Sequence, residues 1–176
     1  MRGLRRLWPR AAADDNLAAP SATQVLMVCA GNICRSPTAE VVLRSKLQRA
    51  GLGRRVLVDS AGTHGFHAGD APDPRAVEAA SRRGYDLAPL RARSVQDLDF
   101  RRFHWLLAMD EANLQWLQRK ALPEPRAQLG LLMTQATRHP GVLTVPDPYY
   151  GAPAGFEHVL DLIEDACDGW LALLKT

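Results

Sequence analysis

A cysteine and an arginine separated by five residues form the pattern in this chain that points most directly to chemistry. The segment reads Cys29-Ala30-Gly31-Asn32-Ile33-Cys34-Arg35-Ser36. An arginine presents a planar fork of N–H groups that matches two oxygens of a phosphoryl group. A cysteine thiolate beside such a cation is a strong nucleophile. The pattern therefore predicts that Cys29 attacks a phosphoryl group that Arg35 holds.

The flanking residues predict that this segment is a loop between a strand and a helix. Gln24 to Val28 is an apolar run typical of a buried strand, and Pro37 fits the first position of a helix with Ser36 as its N-cap. Gly31 permits a backbone conformation closed to most residues, and Asn32 tolerates it. N–H groups in such a loop, with the helix N-terminus behind them, cradle an anion.

We therefore expect the loop to bind a phosphate ion and the phosphoryl group of a substrate. Helix N-termini and nearby cations lower the pKa of a cysteine from about 8.5 to roughly 3.5–7.5, so no separate base is needed. Ser36 is placed to donate a hydrogen bond to the sulfur and to help it leave in a second step. The predicted binding residues of the loop are Ala30, Gly31, Asn32, Ile33, Cys34 and Ser36.

A second group must protonate the oxygen that leaves when the phosphoryl group is transferred. Asp147 is the candidate, because Pro146 and Pro148 on either side limit its backbone freedom and hold a carboxyl group in place. The same group would then act as a base on the attacking water. A Pro-Asp-Pro turn alone indicates only a solvated aspartate, and the cysteine loop is what favours the catalytic role.

Charge and hydropathy exclude two kinds of partner. The 176 residues carry a net charge of +3, and the first twenty contribute +2 of it, because four arginines there outnumber two aspartates. The near-neutral remainder predicts no nucleic-acid partner. No apolar run approaches the roughly 20 residues that cross a bilayer, so no membrane partner is expected. Residues 1–22 are predicted to be a disordered extension, with a short partner-binding or organelle-address arm as the alternative, and residues 23–176 are predicted to be one domain.

The cysteine count indicates a reducing compartment. Three cysteines, Cys29, Cys34 and Cys167, do not make a disulfide framework, and their spacing does not suit structural zinc. We expect a cytoplasmic protein that needs no metal and no cofactor. Cys167 follows the apolar spacing of the last helix, which predicts that its side chain faces the core.

Strand and helix patterns alternate along the remaining chain. This alternation predicts an α/β domain with a central four-stranded parallel sheet and helices on both faces. Ligands of such sheets bind beyond the carboxyl ends of the strands, where the cysteine loop lies. The predicted strands cover about 24–28, 55–59, 105–108 and 129–133, and the predicted helices about 37–50, 74–83, 110–119 and 155–174.

Three blocks in the same order resemble the low-molecular-weight protein-tyrosine phosphatase family. The first is Val28 to Glu40, the second Asp59-Ser60-Ala61-Gly62-Thr63 continuing to Arg75, and the third Asp147-Pro148-Tyr149-Tyr150-Gly151. Met109 to Leu114 matches a further family segment. The resemblance covers roughly residues 24 to 174 and implies a hydrolase with Cys29 as nucleophile and Asp147 as acid.

The resemblance also implies the walls and the support of the pocket. Phe66, Tyr149 and Tyr150 would line it, which favours aryl phosphates, and Asn32 and Ser60 would hold the loop by hydrogen bonds. A reversible disulfide between Cys34 and the nucleophile is implied as well. One departure is Leu90, which falls where relatives commonly place a histidine of the same hydrogen-bond network. A leucine side chain can neither donate nor accept a hydrogen bond.

Other functions use a similar loop. Arsenate reductases coupled to thioredoxin need two further cysteines, and here only Cys167 lies beyond the loop. A non-catalytic phosphotyrosine-binding protein would lack Cys29 or Asp147, and both are present. A dual-specificity or small-molecule phosphatase remains open, because these residues define the reaction and not the leaving group. The expected partner is a phosphotyrosine protein, with a bacterial tyrosine kinase as one candidate, and the expected state is a monomer or weak dimer.

Overall fold

The structure is a computed structural model that describes residues 22–123 and 125–176. The predicted extension lies outside the described residues except for Ala22, which is buried just before the first strand. Within the described ranges, none of the helices combines the length and the apolar composition that a bilayer span requires.

Four parallel strands form the central sheet, as the sequence predicts. In chain order they are β1 (Thr23–Cys29), β2 (Val56–Gly62), β3 (Trp105–Ala108) and β4 (Gln128–Leu131). Their spatial order is β2-β1-β3-β4, so β1 lies inside the sheet with a parallel neighbour on each side. The carboxyl end of β1 is Cys29. The predicted fold class is therefore confirmed.

Helices cover both faces of the sheet. They are α1 (Arg35–Arg49), α2 (Pro74–Arg82), α3 (Asp99–Arg102), α4 (Glu111–Lys120) and α5 (Ala154–Leu174). Alternate residues of a strand point to opposite faces. Accordingly Val25 and Met27 pack into the core formed with α1 and α5, whereas Leu26 and Val28 pack with Phe100 of α3 and the rest of the second core. The helices thus cover the sheet and leave the β1–α1 loop at its carboxyl edge.

Two local features differ from the sequence prediction. β4 ends at Leu131, and the chain then forms a short 3-10 helix, Leu132–Gln135, where a strand was predicted to continue to residue 133. The indole N–H of Trp170 in α5 donates a hydrogen bond to the carbonyl of Leu132 at 2.8 Å. In a continued strand, that carbonyl would accept from a neighbouring strand. The short helix α3 was not predicted, because four residues give no periodic signal.

Ser36 is not the N-cap of α1, which corrects the prediction. The helix begins one residue earlier, at Arg35, and Cys34 is its N-cap. The hydroxyl of Ser36 is instead turned into the loop, 3.0 Å from the sulfur of Cys29. Because the helix has already begun at Arg35, the side chain of Ser36 does not cap it and can contact the sulfur instead.

Candidate active site

The β1–α1 loop is held by the end of β2 and by one left-handed residue. The N–H of Thr63 donates to the carbonyl of Cys29 at 2.8 Å, and the N–H of His64 donates to that of Ala30 at 3.0 Å. Asn32 has a φ of 57°, the conformation in which asparagine is tolerated better than most residues. These backbone contacts hold the loop in its observed shape.

Gly31 is needed for space and not for its backbone conformation, which corrects the prediction. Its φ is not in the left-handed region. A Cβ atom at this position would lie 3.0 Å from Cδ2 of His67, tighter than ordinary van der Waals contact. The glycine thus lets the imidazole ring of His67 approach the loop.

Cys29 lies at the floor of the site with two polar groups against its sulfur. The hydroxyl of Ser36 is 3.0 Å from Sγ, and the N–H of Asn32 donates to Sγ at 3.3 Å. The thiol is buried, yet it lines an open pocket. Hydrogen bonds to a charged group favour the charged form, so both contacts would stabilise a thiolate.

Arg35 is buried beside the thiol and contacts two carboxylates. Nη1 donates to Asp110 at 2.5 Å and to the carbonyl of Val145 at 3.2 Å, and Nη2 donates to Asp147 at 2.7 Å. Burial acts to lower the pKa of Arg35, but the charges of Cys29, Asp110 and Asp147 outweigh burial and raise it. The guanidinium therefore stays charged within the protein.

Asp147 reaches the site from the loop that precedes α5. The N–H of Val145 donates to the carbonyl of Met109 at 2.7 Å, which ties the loop to the end of β3. The other carboxylate oxygen of Asp147 accepts from the N–H of Tyr149 at 3.1 Å. The side chain is 47% exposed, so one face is open to the pocket.

These groups surround a pocket of about 290 Å³. It brings together the three predicted catalytic residues and all the predicted binding residues except Asn32 and Ser36, which lie buried behind the floor. The lining residues are Cys29, Ala30, Gly31, Ile33, Cys34, Arg35, His64, Phe66, His67, Asp147, Tyr149 and Tyr150.

Residues 24–176 match the model of a single family, described as "Low molecular weight phosphotyrosine protein phosphatase". The chain belongs to this family. A relative from Synechocystis is 44% identical over 154 residues, which are 86% of this chain and 96% of that protein. The human low molecular weight phosphotyrosine protein phosphatase is 36% identical over 157 residues, 88% of this chain and 98% of that one.

Solved structures of tyrosine phosphatases share the fold. A protein tyrosine phosphatase from Entamoeba histolytica, crystallised with Hepes in the active site, superposes with a TM-score of 0.84 at 35% identity and covers 88% of this chain and 97% of its own. The chain is thus a hydrolase of the protein-tyrosine phosphatase kind.

Aromatic side chains stand at the mouth of this pocket. Phe66 is 86% exposed and stacks on the ring of His64, with 5.6 Å between ring centroids. On the other side Tyr150 is 95% exposed and packs edge-on against Tyr149, with 5.0 Å between centroids. The guanidinium of Arg75 lies 5.5 Å from the centre of the Tyr149 ring and supports it. An aryl group entering the pocket would pass between these rings.

Sequence reasoning missed four residues of the site. His64 and His67 line the pocket, although no role was predicted for either. Asp110 binds Arg35, and Glu40 binds Ser60 behind the loop. The family segment that begins at Met109 gave a signal for Asp110, whereas nothing near Glu40 in sequence indicated its partner.

Cys34 is buried and faces Asp73. Burial, and after it the charge of Asp73, raises the pKa of Cys34 above its ordinary range. Cys34 is thus a protonated thiol. Its disulfide with Cys29 stays a prediction. Cys167 is fully buried in the core, where the sequence places it.

Leu90 contributes no hydrogen bond through its side chain, and other groups hold the loop. The backbone N–H of Arg93 donates to Oδ1 of Asn32 at 2.9 Å. The amide Nδ2 of Asn32 donates to the hydroxyl of Ser60 at 2.9 Å. Ser60 in turn donates to Glu40 at 2.5 Å. The polar support is therefore complete without a histidine at position 90.

Proposed function

We propose that this chain hydrolyses phosphotyrosine in proteins, and small aryl phosphates, through a phosphocysteine intermediate on Cys29. The observation that carries the proposal is the convergence of a thiol, a buried arginine and a half-exposed carboxyl group on one pocket with an aromatic mouth. The roles of Cys29, Arg35 and Asp147 are part of this proposal.

In the first step the sulfur of Cys29 attacks phosphorus, and the bond from phosphorus to the tyrosine oxygen breaks. The electron pair of that bond goes to the oxygen, which takes a proton from Asp147. The N–H groups of the loop and the guanidinium of Arg35 bind the equatorial oxygens as charge develops on them. The products of this step are tyrosine and phosphocysteine.

In the second step a water molecule attacks phosphorus and gives its proton to Asp147. The phosphorus–sulfur bond breaks, and its electron pair returns to Cys29 as a thiolate. The hydroxyl of Ser36, 3.0 Å from the sulfur, stabilises that thiolate as it leaves. Inorganic phosphate is released.

Substrate binding would rearrange one ion pair. Nη2 of Arg35, which now binds Asp147 at 2.7 Å, is the group that would bind a phosphoryl oxygen. A phosphoryl dianion would therefore take this donor from Asp147 and leave the carboxyl group free beside the leaving oxygen. Asp110 keeps its contact with Nη1 and holds the guanidinium during the exchange.

The aromatic mouth favours an aryl phosphate over other phosphoryl donors. A phosphorylated tyrosine kinase is one candidate substrate, and monomer or weak dimer and a cytoplasmic location stay predictions. Another donor needs a direct test, because a Drosophila structure with 29% identity and a TM-score of 0.81 is described as an arginine phosphatase. Phosphoarginine is therefore the alternative substrate.

The test is hydrolysis of p-nitrophenyl phosphate in mildly acidic buffer with EDTA and a thiol, beside the variant Cys29→Ser. Activity of the native chain and none in the variant supports the cysteine mechanism without a metal. Peptides carrying phosphotyrosine, phosphoserine or phosphoarginine are then compared by kcat/KM. A higher value for phosphoarginine would replace the proposed substrate, and no activity in the native chain would overturn the proposal.

A further inference from the structure

A buried carboxylate lies behind the phosphate-binding loop, outside the pocket. Glu40 is in the second turn of α1 and is 2% exposed. One of its oxygens accepts from the hydroxyl of Ser60 on β2 at 2.5 Å, and the other accepts from the guanidinium of Arg44. The proposed mechanism gives this carboxylate no part.

The contacts of Glu40 fix the direction of the next hydrogen bond. An ionised carboxylate only accepts hydrogen bonds, so Ser60 must donate to it. The Ser60 oxygen can then only accept, and it does so from Nδ2 of Asn32 at 2.9 Å. The other end of this amide is consistent with that direction, because Oδ1 of Asn32 accepts from the N–H of Arg93 at 2.9 Å.

The same amide fixes the direction of the hydroxyl at the nucleophile. The second hydrogen on Nδ2 of Asn32 goes to the oxygen of Ser36 at 2.9 Å. The hydrogen of Ser36 is left with two acceptors, Sγ of Cys29 at 3.0 Å and the carbonyl of Ala61 at 3.4 Å. Sulfur is the closer one. The hydrogen bonds thus diverge from Nδ2 of Asn32: one branch runs through Ser60 to Glu40, and the other runs through Ser36 to the sulfur of Cys29.

We propose that Glu40 is a positioning residue that acts through Ser60 and Asn32 to keep the hydroxyl of Ser36 donating to the sulfur of Cys29. The inference rests on the proposed phosphocysteine mechanism. Its consequence falls on the second step, in which the sulfur leaves as a thiolate and needs that donor.

A neutral amide in place of Glu40 would reverse the hydrogen bond to Ser60. In Glu40→Gln the carbonyl oxygen is drawn to the cation of Arg44, and the NH₂ group faces Ser60. Ser60 then accepts from position 40, and its hydrogen is directed at Nδ2 of Asn32, so that two donors face each other. The amide cannot relieve this conflict by flipping, because its NH₂ group would then face the N–H of Arg93, and Asn32 therefore shifts and weakens its hold on the hydroxyl of Ser36.

Charged groups from both packed elements surround Glu40. Burial raises the pKa of Glu40, the cation of Arg44 on α1 and the hydrogen bond from Ser60 oppose that rise, and the charge of Asp59 on β2 adds to it. Asp59 is itself paired with Arg93 at 2.8 Å. A carboxyl group in such surroundings depends on Arg44 and Ser60 to remain an acceptor.

The experiment separates the two chemical steps by rapid mixing of the full chain with p-nitrophenyl phosphate. The burst of p-nitrophenol reports formation of the phosphoenzyme, and the steady phase reports its breakdown. In Glu40→Gln we expect breakdown to slow by about tenfold, the low end of the effect of one hydrogen bond to a charged group. Formation should change by less than about threefold, so kcat and KM fall together.

Two comparisons distinguish this effect from general damage. Glu78→Gln removes a carboxylate from an exposed pair with Arg82 that has the same four-residue spacing, and it should leave both rates unchanged. Ser60→Ala should slow breakdown as Glu40→Gln does, and adding Glu40→Gln to it should slow breakdown no further. Thermal unfolding of each variant is measured alongside, and Ser60→Ala alone decides the matter if Glu40→Gln does not fold.

Three results would overturn the inference. They are normal breakdown in Glu40→Gln, equal slowing of both steps, and full additivity with Ser60→Ala. A native chain without activity that depends on Cys29 would instead overturn the proposed function, so the two failures are distinguishable.

Discussion

Arg35 contacts carboxylates that come from two different loops. Asp110 binds Nη1 at 2.5 Å and Asp147 binds Nη2 at 2.7 Å, and the arginine is only 3% exposed. In the proposed mechanism these two carboxylates behave differently. Asp110 should hold the guanidinium through the reaction, whereas Asp147 should release it when a phosphoryl group binds.

Asp110 can be tested without disturbing the helix that it begins. Asp110 caps α4 by accepting from the N–H of Asn113, and asparagine caps helices about as well as aspartate. We expect Asp110→Asn to lower kcat/KM for p-nitrophenyl phosphate by roughly 10- to 100-fold, the effect of one hydrogen bond to a charged group. The neighbouring exposed change Glu111→Gln should have no effect. Equal activity of both variants would contradict the role of Asp110.

The acid role of Asp147 predicts a dependence on the leaving group. An acid helps most when the leaving oxygen is strongly basic. Asp147→Asn should therefore reduce the first-step rate for phenyl phosphate by roughly 100-fold or more and for p-nitrophenyl phosphate much less. Stopped-flow measurement of both substrates gives the two ratios. A uniform loss for both would indicate that Asp147 binds substrate and does not donate a proton.

At the scale of elements, α5 anchors the chain that leads to the acid loop. Asp165 is fully buried and accepts from the N–H groups of Thr137, Arg138 and His139 at 3.0, 2.9 and 2.9 Å. The ring of His139 adds a contact at 2.8 Å. Burial acts to raise the pKa of Asp165, but these hydrogen bonds and the charge of Arg138 outweigh burial and lower it to about 2.

This lowered pKa predicts a loss of stability in acid. The contribution is complete above the unfolded pKa of 3.8 and disappears as the pH falls through about 2. It amounts to about 2 kcal/mol. Urea unfolding at pH 7 should show Asp165→Asn less stable than the native chain by at least about that amount, and the difference should narrow by about 2 kcal/mol at pH 2.

A surface aspartate of the same helix provides the comparison for Asp165. Asp161 is half-exposed and pairs with Arg83, so Asp161→Asn should cost less than about 1 kcal/mol at either pH. If the loss in free energy of unfolding caused by Asp165→Asn is the same at pH 7 and pH 2, the charge of Asp165 does not contribute to stability.

Sequence patterns predicted the elements whose signals are local. The apolar run before Cys29, the proline at the start of α1 and the Asn32 turn lie within a few residues of each other. The partner of Arg35 could not be found in this way, because Asp110 is 75 positions away. The contact of Glu40 with Ser60 likewise depends on how α1 packs on β2. Hydrophobic periodicity predicts which face of a helix or strand is buried. It does not predict which polar side chains from two packed elements contact each other.

At the scale of the molecule, the site and the start of the described chain lie at opposite ends of β1. Thr23 begins the strand and Cys29 ends it. Seven residues of extended chain span about 20 Å. This exceeds the Debye length of about 8 Å at physiological salt, so a charge at the start of β1 would act weakly on the pocket.

We predict that residues 1–21 are dispensable for the chemistry, because every group that the proposed mechanism uses lies within the described domain. These residues carry four arginines and two aspartates, +2 of the net +3, so a chain that begins at Ala22 has a net charge of +1. We expect its kcat/KM for p-nitrophenyl phosphate to match that of the full chain within about twofold at physiological salt. An acidic phosphotyrosine peptide assayed at low and high salt shows whether the arginines steer substrate, because steering would make the full chain faster at low salt only. A loss that persists at high salt would instead mean that residues 1–21 contact the domain and belong to its fold.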